Sequence, residues 1–365
     1  MTVEAGMEDS DKGGALQRLL LGLQDMRSWI LLVLVYVVVV WLTSEAFGLH
    51  ELFRILLYPA GSVIAALFSL ILIFIGYVIY LPLVARESRP IARIAGLFKT
   101  YILDPRQLAN LLVPLLLLPF FMSAFTSFKS MIPEIVPFYL DNAFMIADKA
   151  LHLGWHPWEL THGLFGGETA SVVINAFYHM WFFFMWGGMV WHLINLGNRA
   201  HRLQFLLAFT LAWMLLGSLA ALALSSAGPV YFGEVTGLAD PFRVLMERLY
   251  EIDAAVMAQT GSGGLPALGV QELLWGFYTS GDTTYGSGIS AMPSLHVAIM
   301  ALIAMSSYRI HPLFGQVMWL MTAMILLGSV HLGWHYALDG YVSIGLAVLI
   351  WRLSGWITAR EFGEP

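Results

Sequence analysis

The 365-residue chain contains no cysteine. That absence excludes disulfide-braced loops, thiolate metal sites, iron–sulfur clusters and thiol catalysis. Charge is scarce as well: Asp, Glu, Lys and Arg make up 12% of the residues, with a net charge of −6. No Lys/Arg-rich run occurs, so the electrostatic footprint of a nucleic-acid partner is missing. Internal repeats are absent, and no charged domain interrupts the apolar runs that recur from residue 29 to residue 356.

What is abundant is apolar. Hydrophobic residues account for 59% of the chain and the mean hydropathy is +0.75, far from the balance of a soluble domain. A membrane-spanning helix takes ~20 mainly apolar residues. Eight stretches reach or approach that length: 29–46, 61–85, 108–128, 171–195, 203–227, 294–310, 313–334 and 336–356. The expectation is an all-α integral membrane protein with about eight transmembrane helices in one domain, 29–356, flanked by segment 1–28 and tail 357–365. The 13 tryptophans fall mostly near span ends, as interfacial belts do. Residues 1–25 are charged and mildly amphipathic, without the apolar core of a cleavable signal, so the first span is expected to serve as the anchor.

Lys and Arg set the orientation. With a cytoplasmic N-terminus, only Arg54, Lys129, Lys149, Arg243 and Arg248 of the 18 basic residues face outward. The positive-inside bias therefore predicts both termini in the cytoplasm. Segments 129–168 and 228–290 then lie outside. Residues 138–153 and 240–257 have helical apolar spacing suited to the membrane interface, and the Gly/Ser/Thr-rich run 280–290 could serve as the flexible edge of a lid or as a plain connector.

Two polar clusters interrupt the apolar C-terminal third: S-A-M-P-S-L-H (Ser290–His296) and H-L-G-W-H-Y-A-L-D (His331–Asp339). Ionisable groups at a membrane border are costly and mark functional sites by default. Pro293 suits the first turn of a helix, which places His296 at that helix start. Gly333 should break the chain, putting His335 and Asp339 four residues apart on one face of the last helix. Asp339 could then hold one ring nitrogen of His335 and leave the other as a nucleophile. Both helix N-termini would offer amides and positive dipole ends to an anion such as phosphate.

Other assignments compete. The histidines at 152, 156, 162, 179 and 192 can be packing residues, and Asn175, Tyr178 and His179 form one helix face that lines a pocket or bonds a neighbour. If the helix ran unbroken through Gly333, His331, His335, Asp339 and His296 could ligate zinc or iron in a metal-dependent membrane enzyme. The same polar groups could bind an anionic headgroup in a transporter without reacting, although transporters gather such groups at the midplane.

The two clusters, about 39 residues apart from His296 to His335, resemble the motifs of the type 2 phosphatidic acid phosphatase (PAP2) superfamily. A-M-P-S-L-H and H-Y-A-L-D look closest to the branch containing inositol phosphorylceramide synthases. The likeness is specific over the last 80 or so residues and general elsewhere. It implies a PAP2-like C-terminal helical core, a phosphohistidine formed on His335, Asp339 as its orienting partner, and His296 as the acid that protonates the leaving oxygen, with no metal or other cofactor. The superfamily's first phosphate motif, an Arg-Pro pair with Lys seven residues earlier, is not matched by Arg89-Pro90, because Pro82 stands at the Lys position and the segment falls on the cytoplasmic side. The Ser-Arg pair expected ahead of the catalytic histidine falls on Gly328 and Ser329. Phosphate charge must then be balanced by Arg243, Arg248, Lys129 or Lys149, helped by Ser290, Ser294 and the Pro293 turn, with His331 as an accessory. The expected function is transfer of a phosphate-containing headgroup from a lipid substrate to a lipid or polyol acceptor at the extracytoplasmic (periplasmic or lumenal) face. A lipid phosphate phosphatase is the alternative. The branch's members pair with sphingolipids, yet nothing in these residues reads a ceramide.

Overall fold

Apolar runs of this length fold as helices because, in hydrocarbon, only a helix or a closed barrel satisfies every backbone amide internally. The computed structural model describes residues 14–59, 61, 71, 74–79, 81, 83, 86–261 and 263–363, and among them no strand occurs. An N-terminal amphipathic helix α1 (Ala15–Gln24) leads into α2 (Arg27–Ala46), and a 3-10 turn follows at His50–Leu52. Helix α3 (Pro90–Ile102) precedes the long α4 (Pro105–Ile135). Two short helices, α5 (Asp141–Leu151) and α6 (Pro157–Phe165), come before α7 (Glu168–Ile194) and α8 (Arg199–Ala223), the latter widened to a π turn at Leu215–Ala220. After a one-turn helix at Phe232–Thr236 come α9 (Arg243–Thr260) and α10 (Pro266–Ser280), then α11 (Leu295–Tyr308), α12 (Pro312–His331) and α13 (Ala337–Phe362).

Five of the described helices are long and apolar enough to cross a membrane: α2, α4, α8, α12 and α13. The expected eight are therefore not all supported. Stretch 61–85 lies largely outside the described residues. Stretch 171–195 forms α7, which is not among the five, and 294–310 forms α11, only 14 residues long. Helix α11 can be short because protein rather than lipid surrounds it: every residue from Val297 to Ile303 is buried, and it packs on α12, α13, α8 and α7.

Contacts between helix ends sort them to two sides, and α2, α4 and α8 all start on the same one. Arg27 Nε lies 3.7 Å from Glu361 Oε1, which puts the start of α2 and the end of α13 on the same side. On that side Asp25 accepts a two-pronged hydrogen bond from Arg106 at 2.8 and 2.9 Å, with Arg199 at 3.3 Å. Burial raises the Asp25 carboxyl, but hydrogen bonds from Arg106 and Asn110 and the nearby Arg199 charge hold it below the usual range. Helix α4 carries Pro114, which has no N–H for the carbonyl of Asn110; the buried Arg202 guanidinium donates to that carbonyl instead.

The other side carries the short helices α5, α6, α9 and α10. Leu245, Leu249, Ile252 and Val256 form the buried stripe of α9, matching the amphipathic pattern seen over 240–257. The pattern over 138–153 becomes α5, while α10 is a helix that the sequence pattern did not single out. Gln271 of α10 donates to the Leu332 carbonyl at 2.9 Å, and the Ala267 amide donates to the side chain of Asn175 at 3.2 Å, so α10 is pinned over the ends of α12 and α7.

Candidate active site

Helix α12 ends at His331, and Gly333, with φ +74°, reverses the chain. The amides of Trp334 and His335 both donate to the Ser329 carbonyl, at 2.9 and 3.1 Å. His335 consequently precedes α13 instead of lying inside it, since Tyr336 is the N-cap. The expected pairing forms by a different geometry from a shared helix face. Asp339, the third residue of α13, turns back so that one oxygen accepts from the Tyr336 amide at 3.1 Å and lies 3.1 Å from His335 Nδ1. A carboxylate only accepts, so Nδ1 carries the proton and Nε2 keeps its lone pair. Nε2 has no hydrogen-bond partner among the described residues.

Pro293 also departs from its expected place. It lies outside α11, after a cis Met292–Pro293 bond, and Ser294 is the N-cap, with His296 still in the first turn. Ser294 makes no capping bond, and its hydroxyl is buried without a partner among the described residues. The two motif loops share one anchor. The amides of Ala291 and Met292 donate to Ser226, at 2.9 Å to its carbonyl and 3.2 Å to its hydroxyl. The Val230 amide donates to the Gly333 carbonyl at 3.0 Å. At Gly228, φ is +97° and a Cβ would lie 2.6 Å from the Trp334 carbonyl, so this close approach needs glycine.

Two carboxylates of α5 complete the frame, and neither was assigned from sequence. Asp141 accepts from the amides of Ala227 and Gly228 at 2.9 and 2.8 Å and from the Tyr336 hydroxyl at 2.9 Å. Asp148 accepts from the amides of Ala337 and Leu338 at 3.0 and 2.9 Å. Burial pushes both carboxyls above the ordinary range, opposed by these same hydrogen bonds. One expectation falls here. The first amides of α13 are occupied by Asp148 and Asp339, so only the α11 start, which Ser294 leaves uncapped, keeps its amides for an anion.

His296, His335, Lys129 and Ser290 line one cavity of about 470 Å³. The rings of His296 and His335 are 6.1 Å apart between centroids. Tyr178 lies nearly parallel to His296 at 5.2 Å, and Trp181 is 4.2 Å from it on the same helix. Of the face considered from sequence, Asn175 is spent on α10 while Tyr178 and His179 line the cavity. Beyond the polar end the wall is apolar and aromatic, including Phe125, Met185, Trp186 and Trp213. Of the run 280–290, the part from Tyr285 to Ser290 covers the cavity as part of its lining.

The other named candidates lie elsewhere. Arg243 is exposed and 3.7 Å from Glu247; Arg248 is exposed and donates to the Gly166 carbonyl at 3.0 Å; Lys149 is exposed on α5. None of them lines the cavity. Lys129, half-buried on α4, does, and it has no ion pair among the described residues. Its signal was present in the sequence: Lys129 stands seven residues before Val136-Pro137, the Lys-to-Arg-Pro spacing with valine in the arginine's place. Gly288, at φ +92°, allows the covering loop to pack against it, since a Cβ there would lie 2.8 Å from Lys129 Cγ.

His331 turns away from the cavity. Its Nε2 is 3.0 Å from the Ser171 hydroxyl and its ring stacks on His162 at 3.9 Å, while His162 Nε2 donates to the His331 carbonyl at 2.9 Å. Burial lowers the His162 pKa, the backbone bond opposes this, and Arg248 adds to the lowering. The unbroken helix that a His331–His335–Asp339 metal site requires is not formed, and among the described residues no group of three His, Asp or Glu is placed to hold a metal. His152 and His192 are satisfied packing residues, bonded to Tyr341 and Ser306 respectively.

A family model described as the PAP2 superfamily matches residues 142–353, more than half of the chain and all of the segment from α5 to most of α13. No curated protein and no solved structure matches.

Proposed function

This chain belongs to the PAP2 superfamily, whose membership points to phosphoester chemistry, and on that premise we propose that it is a membrane phosphotransferase of lipid headgroups, acting through a covalent phosphohistidine. One observation carries the proposal: His335, oriented by Asp339 with Nε2 free, faces His296 across a cavity that also holds Lys129.

The chemistry follows from these positions. Nε2 of His335 attacks the phosphorus of a lipid phosphoester; an N–P bond forms and the P–O bond to the lipid alcohol breaks. Asp339 fixes the tautomer and stabilises the charge that develops on the ring. His296, protonated when the anionic substrate is bound, gives its proton to the leaving oxygen. Its ring centroid is 6.1 Å from that of His335, close enough for one phosphate group lying alongside both rings to contact each at about 3 Å. Lys129 and the uncapped amides of α11 balance the phosphate charge. In the second step an acceptor oxygen attacks phosphorus and frees His335.

Transfer is favoured over hydrolysis by the wall beyond the polar end, which is apolar and aromatic and would keep bulk water from the phosphoenzyme. The A-M-P-S-L-H and H-Y-A-L-D motifs incline the same way, toward the branch of inositol phosphorylceramide synthases. The scarcity of basic residues on the side of the site, 5 of the 18, supports an extracytoplasmic location, where headgroups lie at the depth of the two motif loops. Lipidomics of proteoliposomes carrying purified protein, with and without His335→Ala, tests the proposal. A new headgroup-bearing lipid that requires His335 is expected. Release of inorganic phosphate alone would establish the phosphatase instead, and transport without turnover would overturn both.

A further inference from the structure

The cavity contains a third histidine that the scheme above does not use. His179 lies on α7 next to Tyr178, the residue stacked on His296, and lines the same cavity as His296, His335 and Lys129. Its Nδ1 is 2.8 Å from the main-chain carbonyl of Asn175, one helical turn earlier. A carbonyl accepts and cannot donate, so the neutral ring carries its proton on Nδ1 and a lone pair on Nε2. No hydrogen-bond partner for Nε2 occurs among the described residues, and it is not one of the sealed, partnerless polar atoms. His192, on the same helix, makes the same bond to a carbonyl four residues back but spends its Nε2 on Ser306. His179 keeps the identical arrangement with the basic nitrogen unspent.

A fixed neutral tautomer with its lone pair in a reaction cavity suits one task, accepting a proton from a hydroxyl. Resting on the phosphotransferase proposal, we propose that His179 binds the acceptor hydroxyl and serves as the base of the second step. The hydroxyl proton passes to His179 Nε2. The oxygen lone pair forms the new O–P bond as the P–N bond to His335 breaks, and that electron pair returns to the His335 nitrogen. His179 then releases the proton to water at the cavity mouth, and His296 regains from water the proton it gave up in the first step. The wall that follows along α7, Trp181 to Trp186, is apolar and extends the site by about 12 Å from Tyr178 at 1.5 Å per residue. That surface fits a hydroxyl borne on a hydrocarbon body better than a polyol.

Single-turnover quench experiments on the full-length protein in detergent test this, with a phosphorus-radiolabelled phospholipid mixture as donor. His179→Gln, which keeps the size but cannot take a proton, should label His335 at a rate within about twofold of wild type. Unchanged labelling also certifies that the variant is folded. Decay of the label on addition of 1-octanol should slow by about 10²–10³, the range typical of a lost general base, and added imidazole should partly restore His179→Ala. In the wild type, 1-octanol should discharge the label faster than glycerol at equal concentration; the reverse order would overturn the assignment of an apolar acceptor. Decay at the wild-type rate in His179→Gln, or equal slowing of labelling and decay, would overturn the role of His179. A wild-type protein that never becomes labelled would instead remove the phosphohistidine scheme, and this inference with it.

Discussion

Asp148 accepts the amide of Ala337 at 3.0 Å, so the start of α13 is closed by a carboxylate of an outer helix and not left open for a ligand. The helix that carries Asp339 is thereby held by protein alone. Substrate charge must be met elsewhere in the cavity, and Lys129 is the cation that lines it.

Replacing Asp148 with Ala should leave two amides without acceptors, a loss of about 2–6 kcal/mol at roughly 1–3 kcal/mol for each unsatisfied group. Thermal unfolding in detergent measures it. Burial raises the Asp148 carboxyl above its ordinary 3.8 despite the two backbone bonds. The folded state therefore binds the proton more readily than the unfolded one, and stability from this group falls as pH climbs from 3.8 through the raised value. Asp148→Asn should remove that slope, and an unchanged slope would contradict the assignment.

His335→Ala should abolish phosphoryl turnover while the protein still inserts and purifies normally. Asp339→Asn, which loses the fixed tautomer, should lower kcat by about 10²–10⁴ with little change in KM. Near-normal turnover in either variant would remove the nucleophile assignment.

If His296 protonates the leaving oxygen, His296→Ala should cost most with poor leaving groups. A series of aryl phosphate or phosphodiester probes of graded leaving-group pKa reads this out. The loss should grow from little to about 10³ across the series, in the range of general-acid contributions. A uniform loss would mean that the ring acts by packing against Tyr178 and Trp181.

Lys129→Ala should reduce kcat/KM by about 10², as expected for removal of a charged phosphate contact of about 3 kcal/mol. Arg243→Ala and Arg248→Ala should stay within about twofold of wild type, because neither side chain lines the cavity. The opposite ranking would return the phosphate contact to α9.

At Gly228 a methyl group meets the Trp334 carbonyl at 2.6 Å in a left-handed backbone conformation. Gly228→Ala should destabilise by about 1–3 kcal/mol and displace the His335 loop. Circular dichroism melts and the rate of His335 labelling should fall together; a stable, fully active variant would show that the two loops are not coupled through this contact.

Much of the spacing around the site was legible in the sequence because it is local. His335 and Asp339 pair as the four-residue interval suggested, although a helix-start geometry brings them together where a shared helix face was expected. His296 falls in the first turn of α11, while Pro293 stands just outside it. Long-range relations were not legible. Nothing in the segment around Asp141 and Asp148 announces that two carboxylates will bond amides some 85 to 190 residues away. Arg243, Arg248 and Lys149 share Lys129's charge and its side of the chain, and only the packing of α4 against the covering loop separates Lys129 from them.

The sequence by itself pointed to a helical, membrane-embedded protein and to the two polar clusters that hold His296, His335 and Asp339. Hydrophobicity summed over a span and the spacing of a few polar residues are properties of contiguous chain, and they need no knowledge of the fold. The tertiary structure decided which cation accompanies the histidines, which helix start is left uncapped and that His179 joins the cavity. Those outcomes depend on which helix packs against which. A short buried helix such as α11, a capped amide or an unspent imidazole nitrogen is set by its neighbours in space, and a linear pattern does not record them.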